Sequence, residues 1–174
     1  MHTTLIEAPE LAEHVADADW AILDCRCELA LPGGGERAWA AGHVPNALHA
    51  DLERDLSGPR TPCAGRHPLP AVAALAATLG RFGIDAGVQV VAYDQATGAF
   101  AARLWWLLRW LGHPAAAVLN GGFAAWERAG LPVSTAAAAR APRHFTARPA
   151  EALVVTTDTI AAALAAGTLA RGEA

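Results

Sequence analysis

The segment at residues 90–99 constrains the fold of this 174-residue chain more than any other. Residues 90–93 form a short apolar run typical of a buried strand, and a helical pattern begins at Ala99, directly after a polar turn. A loop between a strand end and a helix start gathers backbone N–H groups and the positive end of the helix dipole, so it can hold an anion or stabilise a thiolate. This loop contains neither a thiol nor a cation, and it begins with Asp94. The sequence therefore predicts a scaffold for an anionic nucleophile without the nucleophile.

Strand and helix patterns alternate through most of the chain. Apolar runs predict strands at residues 21–23, 47–49, 89–93 and 116–119. Apolar residues at helical spacing, with Pro or Gly near the ends, predict helices at residues 10–18, 36–41, 71–82, 99–111 and 123–129. This alternation predicts the α/β class, with a parallel sheet covered by helices on both faces.

The pattern changes after Val133. Residues 134–143 are rich in alanine and are predicted to be a linker. Residues 153–155 are predicted to form one further strand, and residues 157–166 a helix that ends at Gly167. A single strand and helix have no sheet of their own to join. We therefore predict that residues 144–174 are the truncated start of a second domain.

The composition of the chain limits the classes of partner that it is expected to bind. The net charge is −4, which disfavours nucleic acid as a partner. All 13 basic residues are arginines, so a P-loop, whose signature needs lysine, is excluded. No apolar run is long enough for a membrane span, and residues 1–5 do not resemble a signal peptide. We expect a cytoplasmic protein that binds neither membranes nor nucleic acid.

The three cysteines indicate neither a disulfide framework nor a clear metal site. Their number is odd, and none stands in a C-x-x-C pair. Cys25 and Cys27 would face opposite ways on a strand; if the strand ends before them they could approach one metal, but no second pair of ligands follows. We expect Cys25 to be a small buried hydrophobe and Cys63 an incidental loop thiol. We expect no metal and no cofactor.

Several short motifs follow one another in the order in which one protein family carries them. They are Leu-Asp-Cys-Arg at residues 23–26, Gly-His-Val-Pro-Asn-Ala at residues 42–47, and Gly-Gly-Phe at residues 121–123, followed by Trp126 and by Gly-Leu-Pro at residues 130–132. Together they resemble the rhodanese family, whose members transfer a sulfane sulfur through a cysteine persulfide. The resemblance covers residues 5–133 and implies a rhodanese-like α/β domain.

Two longer segments resemble one subgroup of this family more than the family as a whole. Residues 103–109 and 57–70 resemble the N-terminal half of two-domain thiosulfate and 3-mercaptopyruvate sulfurtransferases, and residues 144–167 resemble the start of their catalytic second half. The resemblance implies sulfur transfer from thiosulfate or 3-mercaptopyruvate to a thiophilic acceptor. It also implies that the partner of this chain is a C-terminal catalytic rhodanese domain, and that the full-length enzyme binds a small sulfur-containing anion.

The family's catalytic cysteine opens the loop between the central strand and its helix, and Asp94 stands at that position here. First halves of two-domain members usually lack this cysteine, so the resemblance implies a chain that is inactive alone. A carboxylate cannot carry a persulfide; Asp94 is a helix-capping group or, in the alternative, a nucleophile for phosphoryl transfer. A further alternative is a free-standing inactive domain that serves binding or regulation.

His67 is the first candidate for an assisting side chain, since it lies in the long connection at residues 51–69. In mercaptopyruvate sulfurtransferases a histidine of this segment, with an acidic residue upstream, is proposed to relay a proton with a hydroxyl group of the other domain. The resemblance puts Glu53 at the acidic position, where the family's relay uses Asp. A neutral histidine oriented by a carboxylate suits such a relay. The alternative is a loop histidine bonded to nearby backbone.

Other polar and aromatic features are expected to be structural. His43 is expected to tie a tight turn to neighbouring backbone, and Arg26 to form an internal ion pair with Asp24. The tryptophans within residues 105–110 are expected to pack in the core or at a domain interface.

Overall fold

The computed structural model describes residues 1–62 and 64–167. Its centre is a five-stranded sheet in which all neighbouring strands are parallel. β4 and β5 are buried along their whole length, as expected for apolar strands covered on two faces. In chain order the strands are β1 (Leu5–Ile6), β2 (Trp20–Asp24), β3 (Leu48–His49), β4 (Gln89–Tyr93) and β5 (Ala116–Leu119), and their spatial order is β1-β5-β4-β2-β3.

Helices cover both faces of this sheet. The side chain of Val90 packs in a core with residues of α3 and α4, whereas the next residue, Val91, packs in a second core with residues of α1 and α5. The prediction of an α/β fold with helices on both faces is therefore confirmed. The α-helices of the described residues are α1 (Ala8–Ala12), α2 (Gly34–Ala41), α3 (Val72–Arg81), α4 (Ala99–Trp110), α5 (Gly122–Arg128) and α6 (Thr157–Ala166).

Two elements near the N-terminus differ from the prediction. α1 ends at Ala12 instead of residue 18, and tighter turns follow, in which the N–H of Asp17 donates to the carbonyl of His14 at 3.0 Å. β1 has only two residues, which is too short for a periodic pattern to reveal. It forms because its backbone pairs with β5 at the edge of the sheet.

The segment at residues 134–150, predicted in part as a linker, is docked on the body of the domain. Arg140 donates to the carbonyl of Trp20 at 2.6 Å, and Arg143 pairs with Asp85 at 3.1 Å. The ring of Phe145 is buried in the core beneath α3 and α4. The domain boundaries set at residues 133 and 143 stay a prediction.

For residues 151–166, at the end of the described chain, one predicted element is wrong and one is confirmed. The strand predicted at residues 153–155 is wrong, because a 3-10 turn forms at Glu151–Leu153 and no strand of the described residues pairs with this segment. The predicted helix is confirmed as α6, where Thr156 Oγ1 accepts from the N–H of Thr159 at 3.1 Å.

α6 buries none of its residues, although Ile160 and Leu164 on it are large and apolar. Residues 168–174 of the predicted truncated domain lie outside the described residues, and so does Cys63. None of the helices in the described part of the chain is long and apolar enough to cross a membrane.

Candidate functional site

The turn between β4 and α4 lies in the middle of the sheet, where β4 runs between β2 and β5. Asp94 opens this turn and is 1% exposed. Its Oδ1 accepts from the N–H groups of Ala96 at 3.1 Å and Gly98 at 2.9 Å. Its Oδ2 accepts from the N–H groups of Phe100 at 2.9 Å and Ala101 at 3.4 Å. The side chain therefore caps the first turn of α4, as predicted.

This arrangement is an anion-binding nest that the chain fills with its own carboxylate. Four backbone donors at a helix N-terminus stabilise a negative charge, and each Asp94 oxygen uses two of them. A phosphoryl-transfer role would require one carboxylate oxygen to turn from its two N–H donors toward phosphorus, and the hydrogen bonds therefore oppose the nucleophile alternative.

The Asp94 turn is also held from the α5 side. The N–H of Phe123 donates to the carbonyl of Asp94 at 2.8 Å. Gly122 makes this approach possible, since its φ is +60° and a Cβ there would lie 2.5 Å from the Asp94 carbonyl oxygen. The Gly-Gly pair before Phe123 thus fixes the turn against α5.

A cleft of about 430 Å³ opens beside the turn, and we call it the Asp94 cleft. One wall is the turn itself together with Phe100. The other wall is the segment from Arg26 to Glu28 and the start of α2, where Gly34 and Gly35 lie. Both glycines are buried in α2, and a Cβ on Gly35 would lie 2.0 Å from the carbonyl oxygen of Arg26.

Arg26 borders the cleft but its charge is already neutralised. Its guanidinium donates to the buried Asp24 carboxylate at 2.6 Å and to the carbonyl of Gly42 at 2.6 Å. The hydroxyl of Tyr93 also donates to Asp24, at 2.8 Å, and burial together with the Asp24 charge raises the pKa of this phenol. The predicted Asp24–Arg26 ion pair is confirmed, and it leaves the cleft without a free cation from Arg26.

The structure brings Glu53 and His67 together. His67 Nε2 lies 3.7 Å from Glu53 Oε1, and the His67 side chain is 18% exposed. Nε2 is buried and has no hydrogen-bond partner among the described atoms. Burial and the charges of Arg66 and Arg103 lower the pKa of His67, against an opposing effect of Glu53.

Glu53 is the centre of a small charged group, which we call the Glu53 cluster: Glu53, Arg60, Arg66 and His67. Arg60 donates to Glu53 Oε1, and Arg66 lies 3.8 Å from the same oxygen. Glu53 and Arg66 line a small cavity of about 60 Å³. The residues that line both this cavity and the Asp94 cleft are Arg26, Cys27, Glu28, Gly34 and Gly35. The cluster therefore adjoins the Asp94 cleft.

The residues expected to be structural have structural contacts. His43 is fully buried, with Nδ1 at 2.8 Å from the carbonyl of Trp39 and Nε2 at 3.1 Å from that of Ala136. Cys25 is buried, and desolvation together with nearby carboxylates raises the pKa of its thiol. The rings of Trp106 and Trp110 stack with centroids 5.9 Å apart.

The sequence indicated Cys27 only as a possible metal-binding partner of Cys25, and the structure places it at the border of both cavities. Burial and the carboxylates of Asp51 and Glu53 raise the pKa of its thiol. Within residues 1–62 and 64–167, no group of three or more His, Cys, Asp or Glu side chains is arranged to hold a metal ion.

The family model of the rhodanese-like domain matches residues 7–129. The chain belongs to the rhodanese family. The fold class and the family inferred from the sequence motifs are thereby confirmed.

This rhodanese-like chain is similar to several sulfurtransferases. A probable 3-mercaptopyruvate sulfurtransferase of Pseudomonas aeruginosa is 44% identical over 162 residues, which are 92% of this chain and 57% of the relative. A putative thiosulfate sulfurtransferase of Mycobacterium tuberculosis, SseB, is 42% identical over 132 residues, which are 75% of this chain and 46% of the relative. The chain spans about half the length of these curated relatives.

A solved structure gives the same picture of the fold. The 3-mercaptopyruvate sulfotransferase SseA from Escherichia coli superposes with a TM-score of 0.80 at 28% identity. The superposition covers 93% of this chain and 63% of the SseA chain. The rhodanese fold described here is therefore shared with one part of a longer protein.

Proposed function

We propose that this chain is the non-catalytic N-terminal half of a two-domain sulfurtransferase of the 3-mercaptopyruvate type, and that it is inactive without the catalytic half. The observation that carries the proposal is the Asp94 carboxylate, bound by four backbone N–H groups at the turn where the family's cysteine is expected. The similarity to 57% of the Pseudomonas relative supports it.

Sulfur transfer in this family needs a thiolate that accepts a sulfane sulfur as a persulfide, while pyruvate or sulfite leaves. The Asp94 carboxylate cannot form that persulfide, and it occupies the N–H donors that would stabilise an anion in the turn. The thiols of Cys25 and Cys27 both have raised pKa values. An activated nucleophile needs the opposite shift.

In this proposal the chain supplies one wall of the interdomain cleft, and the Glu53–His67 pair assists proton transfer there. Because burial lowers the pKa of His67, its ring is neutral near pH 7 and can accept a proton. Glu53 orients the ring and stabilises it when it becomes charged. The sulfur-containing anion, 3-mercaptopyruvate or thiosulfate, lies between the two halves of the full-length enzyme.

We also propose the cytoplasm as the compartment of this protein. Cys25 and Cys27 are free thiols. Thiols persist in the reducing cytosol, whereas secreted proteins of this size commonly form disulfides.

The experiment is a thiocyanate assay with cyanide as acceptor and 3-mercaptopyruvate or thiosulfate as donor. The chain is assayed alone, and together with the remaining part of the Pseudomonas relative produced separately. We expect no turnover from the chain alone above that of a control with Cys25, Cys27 and Cys63 changed to Ser, and turnover when the second part is added.

Two results would contradict the proposal. Turnover by the chain alone that the triple Cys→Ser control lacks would mean that one of these thiols is catalytic. A stable monodisperse chain that never binds or activates the second part would favour the alternative of an independent binding or regulatory domain.

A further inference from the structure

We propose that Arg103 is a positioning residue for His67: from α4 it holds the two ends of the loop that presents the imidazole to Glu53. This inference rests on the proposed proton-transfer role of the Glu53–His67 pair. In this proposal the position of the His67 ring beside Glu53 depends on Arg103, although Arg103 contacts neither the imidazole nor the carboxylate.

The contacts of Arg103 converge on this loop. Its Nε donates to the carbonyl of Leu56 at 2.9 Å, and its Nη2 donates to the carbonyls of His67 and Pro68, each at 3.1 Å. Nη2 also lies 3.4 Å from Ser57 Oγ. One half-buried guanidinium therefore binds the backbone at both ends of the loop, including the peptide of His67 itself.

The loop needs such a support because it is long, and its described residues, 50–62 and 64–71, form no helix or strand between β3 and α3. Its two ends approach closely at Gly58, whose N–H donates to the carbonyl of Pro68 at 3.0 Å. A Cβ at Gly58 would lie 2.6 Å from the carbonyl oxygen of Leu69, so the approach requires glycine. The Arg103 side chain supplies donors to the carbonyls of Leu56 and His67, and it gives the Pro68 carbonyl a second donor beside the N–H of Gly58.

Only an arginine can satisfy this geometry. The planar guanidinium carries five N–H donors in a fixed fork, whereas a lysine ammonium is a point charge on a flexible stem. Without the fork, the carbonyl of His67 loses its donor and the ring is no longer fixed near Glu53. The charge of Arg103 also acts on His67, together with those of Arg66 and Arg60 and against that of Glu53.

The first measurement is NMR titration of the His67 ring in the 174-residue chain, assigned with His67→Gln. Arg103→Met is expected to raise the pKa of His67 toward its ordinary value, because the ring becomes more solvated and loses a neighbouring cation. We expect amide hydrogen exchange at residues 56–70 to accelerate at least about tenfold. Arg109→Met is the matched control, since Arg109 lies on the same helix, is exposed and contacts the Trp105 ring.

Arg103→Lys keeps the positive charge and removes the guanidinium fork, so it separates the effect of the charge from the effect of the hydrogen bonds to the loop. It also replaces the Met variant if that variant fails to fold. The proposal requires faster exchange at residues 56–70 in this variant too. Unchanged exchange and an unchanged His67 titration in both variants, with any loss confined to global stability in urea, would overturn it.

The second measurement is a double-mutant cycle in the activity of the chain combined with the remaining part of the Pseudomonas relative. If Arg103 acts through His67, then Arg103→Met lowers kcat, and the double variant with His67→Gln is no slower than His67→Gln alone. Additive losses would overturn the proposal. If the wild-type pair has no activity, the proposed function fails, while the NMR and exchange results still decide the role of Arg103 in holding the loop.

Discussion

The Asp94 carboxylate and the backbone N–H of Phe100 lie 2.9 Å apart across the turn that joins β4 to α4. This bond links the first residue after the central strand to the first turn of the following helix. With three further N–H donors it makes Asp94 both the helix cap and the occupant of the anion nest. The Asp94 carboxylate therefore stabilises the connection between β4 and α4, and its removal should lower the free energy of unfolding.

Asp94→Asn should lower the free energy of unfolding by about 2–3 kcal/mol, because the amide nitrogen would face buried N–H donors and the charge at the helix N-terminus is lost. Urea denaturation measures the effect. Asp158→Asn is the control, since Asp158 lies in the exposed first turn of α6. A loss no larger than that of the control would contradict the capping role.

Asp94→Cys should produce a thiol that is alkylated faster than free cysteine at pH 7, because the four N–H donors favour the thiolate. The variant should barely turn over thiosulfate, since the turn still has no cation for an anionic donor. Peptide mapping after iodoacetamide treatment distinguishes this thiol from Cys25 and Cys27, whose pKa values are raised.

Ala96→Arg in the Asp94→Cys background should raise turnover more than it changes alkylation, because it adds a cation to the cleft where the sulfur donor would bind. A missing electrostatic donor typically costs a factor of about 10²–10³ in rate. If Asp94→Cys alone reached the rate of an intact two-domain enzyme, the turn would lack only its nucleophile.

Acidification should destabilise the chain through His113. This side chain is 3% exposed, its Nε2 has no hydrogen-bond partner among the described atoms, and burial lowers its pKa. The unfolded chain therefore binds a proton near its ordinary pKa of 6.5 while the folded chain does not, and stability falls as the pH drops below that value.

The check is urea denaturation at about pH 7.5 and about pH 5.5. His113→Gln should lose less stability between the two than the wild type, while the exposed His144→Gln should behave as the wild type. Equal losses in all three proteins would show that His113 does not contribute to the pH dependence.

α6 should be the least protected helix of the described chain in hydrogen exchange, since it buries none of its residues. Its amides are expected to exchange on the time scale of local opening, whereas those of β4 require global unfolding. Mass spectrometry of a dilute sample gives both rates in one experiment. Equal protection of α6 and β4 in a monomer would refute the expectation, and protection that appears only at high concentration would indicate contact with a second copy.

The local sequence determined the sheet-and-helix framework because each long element carries its own periodicity. β4 and β5 are correct to the residue, and α4 is correct to within one residue. The capping role of Asp94 was also predictable, since the cap and the helix it serves are neighbours in the chain. The juxtaposition of Glu53 and His67 was expected from family motifs and not from any periodicity.

Only the tertiary structure decided those features in which a strand or a side chain pairs with residues far away in the sequence. β1 exists only through pairing with β5, and Val154 stays outside the sheet because no described strand pairs with it. The guanidinium of Arg103 reaches the carbonyl of His67 across 36 positions of sequence. Hydrogen bonds of this kind depend on how the helix and the loop pack, and a pattern within one segment does not contain that information.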